Sequence, residues 1–345
     1  MMQISPEIQL FIREHSSDDV RVLALQAKKY PDIDMPTVIT QIAGRKVAAE
    51  KIPSWWEIEK IWYPKHLSLE QCSSEITARY KARLLQGDSL TDLTGGFGID
   101  CSFLATGFKS ATYVERQQEL CEIAAHNFPI LNLNHINVKN EDGVSYLQAM
   151  SPVDCIFLDP ARRNEHGGKT VAISDCEPDV AELEELLLNK AGQVMVKLSP
   201  MLDLSLALKE LQHVQEVHII SANNECKELL LILGQASVEE ISIHCVNLPT
   251  KGIQEEQHFV FTREQEQCSE CNYTNVLENY LYEPNASLLK AGAFRSIASA
   301  FPVKKLHPNS HLYTSDVLVE SFPGRAFHII SQCSCLLYTS PRPRD

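Results

Sequence analysis

Thr91-Asp92-Leu93-Thr94-Gly95-Gly96-Phe97-Gly98-Ile99-Asp100 is the stretch on which the reading of the fold turns. Ser89–Leu93 has the composition of a short buried strand, and Ile99–Ala105 has the apolar spacing of a helix. The glycines at 95, 96 and 98 lie between them, where the backbone must turn through angles that other residues avoid. A helix that opens on such a turn leaves its first N–H groups free for a ligand. The spacing Gly95-Gly96-x-Gly98 is not the G-x-G-x-x-G of dinucleotide loops, so a pyrophosphate fits it poorly. Asp92, at the strand's end, suits a ligand with an ammonium group that a carboxylate can pair.

Working outward from this loop, short apolar strands alternate with helices from about 70 to 235. Strands are expected at Ser110–Val114, Ile136–Lys139, Cys155–Leu158 and Gln193–Lys197. Helices are expected at Gln118–Phe128, Gly143–Ala149, Val180–Leu188 and Leu204–Leu211. The alternation predicts an α/β fold, a Rossmann-like parallel sheet covered by helices on both faces. Two further strands, Glu216–Ile220 and Glu228–Leu233, follow with only a loop between them. They predict an antiparallel hairpin at one edge, as expected of a class I methyltransferase sheet.

Carboxylates at successive strand ends then define a crevice. Glu115 ends the second strand about 20 residues past the glycines, where an acidic side chain accepts ribose hydroxyls. Asp142 follows the third strand and is placed to meet the exocyclic amine of an adenine. With Asp92 for an ammonium, the set matches S-adenosylmethionine (SAM), an adenosine carrying an amino acid. The expected cofactor-binding residues are Asp92, Thr94, Gly95, Gly96, Gly98, Asp100, Glu115, Asp142 and Asp159. Leu158-Asp159-Pro160-Ala161-Arg162-Arg163 ends the fourth strand and overhangs the same crevice. Asp159, Pro160 and Arg162 are the expected catalytic residues, and Arg162, Arg163 and Lys197 the expected substrate contacts. Lys197, at the end of the fifth strand, either meets substrate or pairs with Asp159. The two arginines either hold an RNA phosphate or form a salt-bridged loop.

Asp159-Pro160-Ala161-Arg162 resembles the Asp/Asn/Ser-Pro-Pro-aromatic motif of enzymes that methylate amino groups in nucleic acids. It lacks the second proline, and arginine stands where an aromatic residue would stack on the target base. As a whole the chain resembles bacterial class I SAM-dependent methyltransferases with a C-terminal THUMP-like domain. The matching residues are Gln71-Cys72-Ser73-Ser74-Glu75, Ala78-Arg79-Tyr80-Lys81-Ala82, the loop from Asp92 to Gly98, and Asp159 to Arg163. Lys197-Leu198-Ser199-Pro200 and Tyr282-Glu283-Pro284-Asn285 complete the set. The catalytic part is also similar, more distantly, to trimethylguanosine synthases. The resemblance implies methylation of a base nitrogen in a structured RNA such as tRNA or rRNA. The rival expectations are a protein or small-molecule acceptor, and an RNA-binding protein that holds SAM without catalysis.

The flanks complete the plan. Residues 1–69 read as a helical N-terminal region: Ser5-Pro6-Glu7 starts one helix, Val20–Lys29 forms a second, and Pro36 begins a third. Trp55, Trp56 and Trp62 cluster at its end and read as packing rather than a base-stacking platform. Residues 70–236 form the methyltransferase domain and 237–334 the THUMP-like α/β module. In that module Val238, Ile241 and Ile243, then Phe259–Phe261, read as strands, and Ala286–Ala300 as one helix with Gly292 inside it. From 335 the chain reads as a non-native tail, Leu336–Asp345 being LLYTSPRPRD, so the third module is expected to be truncated.

Bulk properties bound the function. The net charge of −14 over 345 residues argues against a large non-specific phosphate-binding surface, though not against a local patch. Candidate patches are Arg79 with Lys81 and Arg83, Arg162 with Arg163, and Lys304 with Lys305. The cysteines scattered among apolar segments suggest a reducing, cytoplasmic setting. No membrane span is expected. No metal is expected either: Cys268-x-x-Cys271 lacks a second pair at matching spacing, with Cys333 and Cys335 too close together.

Overall fold

A computed structural model describes residues 6–162, 172–249 and 255–332. Contacts divide the chain into two units, 1–217 with 228–239, and 218–227 with 240–345. The first unit begins with helices α1 (Pro6–Glu14), α2 (Val20–Leu25), α3 (Met35–Lys51), α4 (Pro53–Trp56), α5 (His66–Gln71) and α6 (Glu75–Lys81). Asp19 and Asp34 cap α2 and α3 by accepting bonds from Arg21 N and Thr37 N, which fixes where these helices start. The second helix stops at Leu25 and gives way to a 3-10 turn at Ala27–Lys29, ending before Tyr30-Pro31.

The alternating region follows as β1 (Ser89–Asp92), α7 (Ile99–Leu104), β2 (Ser110–Glu115), α8 (Gln118–Ile130), β3 (Ile136–Asn140), α9 (Gly143–Ala149) and β4 (Val153–Leu158). A short hairpin of β5 (Ala161–Arg162) and β6 (Cys176–Glu177) comes next. After it lie α10 (Val180–Lys190), β7 (Ala191–Leu198), α11 (Leu204–Glu210), β8 (Val214–Ala222) and β9 (Glu225–Gly234). The β5–β6 hairpin was not foreseen, since two-residue strands carry no periodic signal.

Strand order is β8-β9-β7-β4-β1-β2-β3, with β3, β2, β1, β4 and β7 parallel and β9 antiparallel to β7. The expected hairpin exists, with its second strand beside β7, but it is not the edge of the sheet, because the strand Ser242–Leu248 continues the sheet beyond β8. Asn223 and Asn224, both at positive φ (54° and 58°), make its tight turn. Strands β4, β7 and β9 are buried almost throughout because helices cover the sheet.

The N-terminal helices share the core of this unit. Trp55, Ile61, Tyr63, Leu69 and Ala78 form one apolar cluster with Phe97, Ile99 and Ile123. Asn127 of α8 closes the join with bonds to both Trp62 N and Trp62 O. Trp55 is buried in this cluster and Trp62 packs against it, whereas Trp56 is exposed, so the packing reading holds for two of the three tryptophans.

The second unit contains β10 (Ser242–Leu248), β11 (Gln257–Phe261), α12 (Arg263–Cys268), β12 (Tyr280–Pro284), α13 (Ala286–Ala291), α14 (Phe294–Ala300), β13 (Lys304–Lys305), β14 (Tyr313–Ser315) and β15 (Gly324–His328). Strands β10 and β11 pair antiparallel, and β13-β14-β12-β15 form a separate antiparallel sheet. The single helix expected over Ala286–Ala300 is two helices. Gly292 takes φ 75° and ends the first as a left-handed cap. Val238, expected in a strand, lies outside β10 and is exposed.

Candidate functional site

The ends of β1, β2 and β4 carry most of the expected site residues, and hydrogen bonds tie their loops together. Thr94 is the junction. Its N–H donates to Asp92 Oδ1 (3.0 Å), and its Oγ1 accepts from Asp159 N (2.6 Å). Glu115 fastens the glycine turn to β2, its Oε2 accepting from Gly96 N (2.9 Å) and its Oε1 from Gln117 N (2.8 Å). Gly98 begins α7 at φ 88°, an angle that suits glycine alone. A Cβ on Gly95 would fall 2.2 Å from the Tyr113 ring, so packing as well as ligand approach requires glycine there. Tyr113 Oη in turn donates to Gly96 O (2.5 Å).

Asp92 is 1% exposed, and its Oδ2 has no hydrogen-bond partner. Burial pushes its carboxyl well above the ordinary value, and the carboxylates of Asp100, Asp159 and Glu115 add to the rise. A buried acid left half-satisfied beside a glycine turn is destabilising on its own, and an incoming cation would relieve it.

Asp100 turns away from any simple loop role. Its Oδ1 lies 3.0 Å from Lys81 Nζ, and its Oδ2 accepts from Ser73 Oγ (2.7 Å) and Lys197 Nζ (3.4 Å). Burial alone would raise its pKa, but the Lys81 and Lys197 ammoniums overcome that and hold it below the ordinary range. Lys197 also donates to Asp159 Oδ2 at 2.6 Å, the pairing named as one of its two expected roles. Burial works against its charge, yet the Asp159, Asp100 and Glu228 carboxylates keep it firmly protonated.

Asp142 is exposed and caps α9, accepting from Ser145 N (2.9 Å) and Ser145 Oγ (3.1 Å). Pro160 is buried, and Arg162 lies in β5. Arg163 falls outside the described residues, as do Cys333 and Cys335.

Among the described residues, four of the patch cations are paired or buried. Lys81 is fully buried, contrary to its reading as a surface charge; Arg79 pairs with Glu75 at 2.6 Å. Lys304 pairs with Glu278, and Lys305 is buried, donating to His307 O (3.1 Å) and Pro308 O (2.6 Å). The sequence reading also passed over Ser73 and Glu228, which hold Lys81. A usable signal existed for Lys81. It stands three residues after Ala78 and four after Thr77, on the buried face of α6, while Arg79 lies on the exposed one.

The strand order and the reversed strand beside β7 define a class I methyltransferase fold. The chain belongs to the family of a protein from Porphyromonas gingivalis W83, described as a "putative methyltransferase". The two are 36% identical over 96% of this chain and 84% of that one, with a TM-score of 0.84. Residues 280–323 match a family described as a ferredoxin-like domain. An rRNA methylase from Streptococcus thermophilus is 14% identical over 47% of this chain and 96% of its own, at TM-score 0.35. A Streptococcus mutans protein, a "putative methyltransferase" in complex with SAH, is 13% identical over 46% and 96%, also at 0.35. Likenesses this faint carry no weight for the present chain. No curated protein matches the sequence.

Proposed function

We propose that this chain is a SAM-dependent methyltransferase that modifies an amino or ring nitrogen of a base in structured RNA. The observation that carries the cofactor is the buried, unpartnered Asp92 Oδ2 beside the glycine turn. It fits the ammonium of SAM's amino acid portion, and Glu115 and Asp142 fit the ribose hydroxyls and the adenine amine. When bound, SAM supplies an electrophilic methyl group on a sulfonium.

The chain's own residues position the acceptor, since in-line displacement gains most from alignment. Asp159 accepts a hydrogen bond from the acceptor nitrogen and stabilises the positive charge that develops there. Lys197 holds the Asp159 carboxylate in place. Pro160 stiffens the loop, and Arg162 with Arg163 holds an RNA phosphate. On this reading 1–69 and a THUMP-like module over 237–334 flank a catalytic domain at 70–236, and the module grips the RNA.

A second reading keeps SAM and makes the acceptor a protein or small molecule. The net charge of −14 and the neutralisation of Arg79, Lys304 and the buried lysines favour it. Transfer of labelled methyl groups from SAM to tRNA, rRNA and protein fractions separates the two. The RNA reading expects label in RNA, cut on the order of 10²-fold by Asp159→Ala. Label in protein or small molecules alone would establish the second.

A further inference from the structure

We infer that Lys81 is a positioning residue for the crevice: it anchors Asp100, and through Asp100 it sets Lys197 against Asp159. The inference rests on the methyltransferase reading, because it concerns the group that meets the acceptor.

Five charges alternate in sign across this part of the first unit: Glu228, Lys81, Asp100, Lys197 and Asp159. Lys81 Nζ donates to Glu228 Oε1 (2.6 Å) and Oε2 (2.8 Å) and to Ser73 Oγ (3.1 Å), and lies 3.0 Å from Asp100 Oδ1. Neutrality alone would need a single carboxylate, and Glu228 supplies it with both oxygens. The contacts to Ser73 and Asp100 are therefore surplus to charge balance.

Their geometry shows what they do. Ser73 Oγ accepts from Lys81 and donates to Asp100 Oδ2, while the Lys81 ammonium forms an ion pair with Asp100 Oδ1, so hydroxyl and ammonium face the two oxygens of one carboxylate. With Asp100 held from that side, Lys197 is shared between it at 3.4 Å and Asp159 at 2.6 Å. Without Lys81, Asp100 would be a buried anion with a stronger claim on Lys197. A buried charge is stable only when paired, so Lys197 would shift toward Asp100 and loosen from Asp159. This also gives a physical role to Ser73 and Lys81, two residues of the motifs before the glycine loop.

The test follows the Lys197 ammonium directly. Buried, hydrogen-bonded lysine ammoniums give ¹⁵N NMR signals that exposed ones lose to exchange, and Lys197→Met assigns the signal. Lys81→Met alone would strand Glu228 and is expected to fold poorly, so the decisive variant is Lys81→Met with Glu228→Leu. That pair leaves no lone Glu228 carboxylate in the core. The expected result is a protein that melts cooperatively, and so is folded, but whose Lys197 signal is displaced or lost. A Lys197 signal at its wild-type place would overturn the inference. Should the double variant not fold, Ser73→Ala decides: it removes one half of the grip on Asp100, and an unmoved Lys197 signal overturns the inference equally. Failure of the wild type to bind S-adenosylhomocysteine would count against the cofactor reading instead, since the NMR result needs no cofactor.

Discussion

At the scale of single residues, Asp92 sets the terms. Burial raises its carboxyl well above 3.8, so the folded protein keeps a proton there that the unfolded chain releases. That proton favours the native state below the unfolded value, and the advantage is lost as pH rises through the folded one. Asp92→Asn cannot ionise, so its melting temperature should gain on wild type as pH rises above the unfolded value toward the raised folded one. The same variant should bind S-adenosylhomocysteine more weakly. A parallel melting profile for the two proteins would show that Asp92 is not the strained group described here. Gly95→Ala should cost about 1–3 kcal/mol in denaturant unfolding, because its Cβ meets the Tyr113 ring. Asp92, Thr94, Glu115, Asp159 and Lys197 could be picked out from sequence because each ends a strand or follows one closely. Ser73 and Glu228 could not, since their partner Lys81 reaches them across long sequence separations that local pattern does not report.

At the scale of elements, the glycine turn depends on helices far away in the chain. Phe97, inside the turn, packs edge-on against Trp55 at 5.2 Å between ring centroids. Trp55→Ala should therefore destabilise the unit by about 3–5 kcal/mol and also weaken S-adenosylhomocysteine binding. Unfolding curves and calorimetry on the same preparation check both effects, and a stability loss with intact binding would uncouple the helices from the turn. Most of the parallel strands and their helices were legible, because alternation and aspartate caps mark them. Three features were not. The β5–β6 hairpin is too short for a period, and Gly292 divides what periodicity presents as one helix. The place of β9 between β7 and β8 is a matter of topology, which a linear pattern leaves open.

At the scale of the whole molecule, charge limits how an RNA could be held. The net charge is −14, and among the described residues Arg79 and Lys304 are paired and Lys81 and Lys305 buried, which leaves these four poorly placed to neutralise phosphates. The affinity for tRNA should therefore fall with salt at a log–log slope no steeper than about −3. A much steeper slope would reveal a basic surface that this account lacks. The central claim, however, concerns the crevice, and calorimetric titration of the purified chain with SAM and S-adenosylhomocysteine tests it most directly. The account predicts binding in the micromolar range, abolished by Asp92→Ala and by Glu115→Ala. A folded chain that binds neither compound would contradict it.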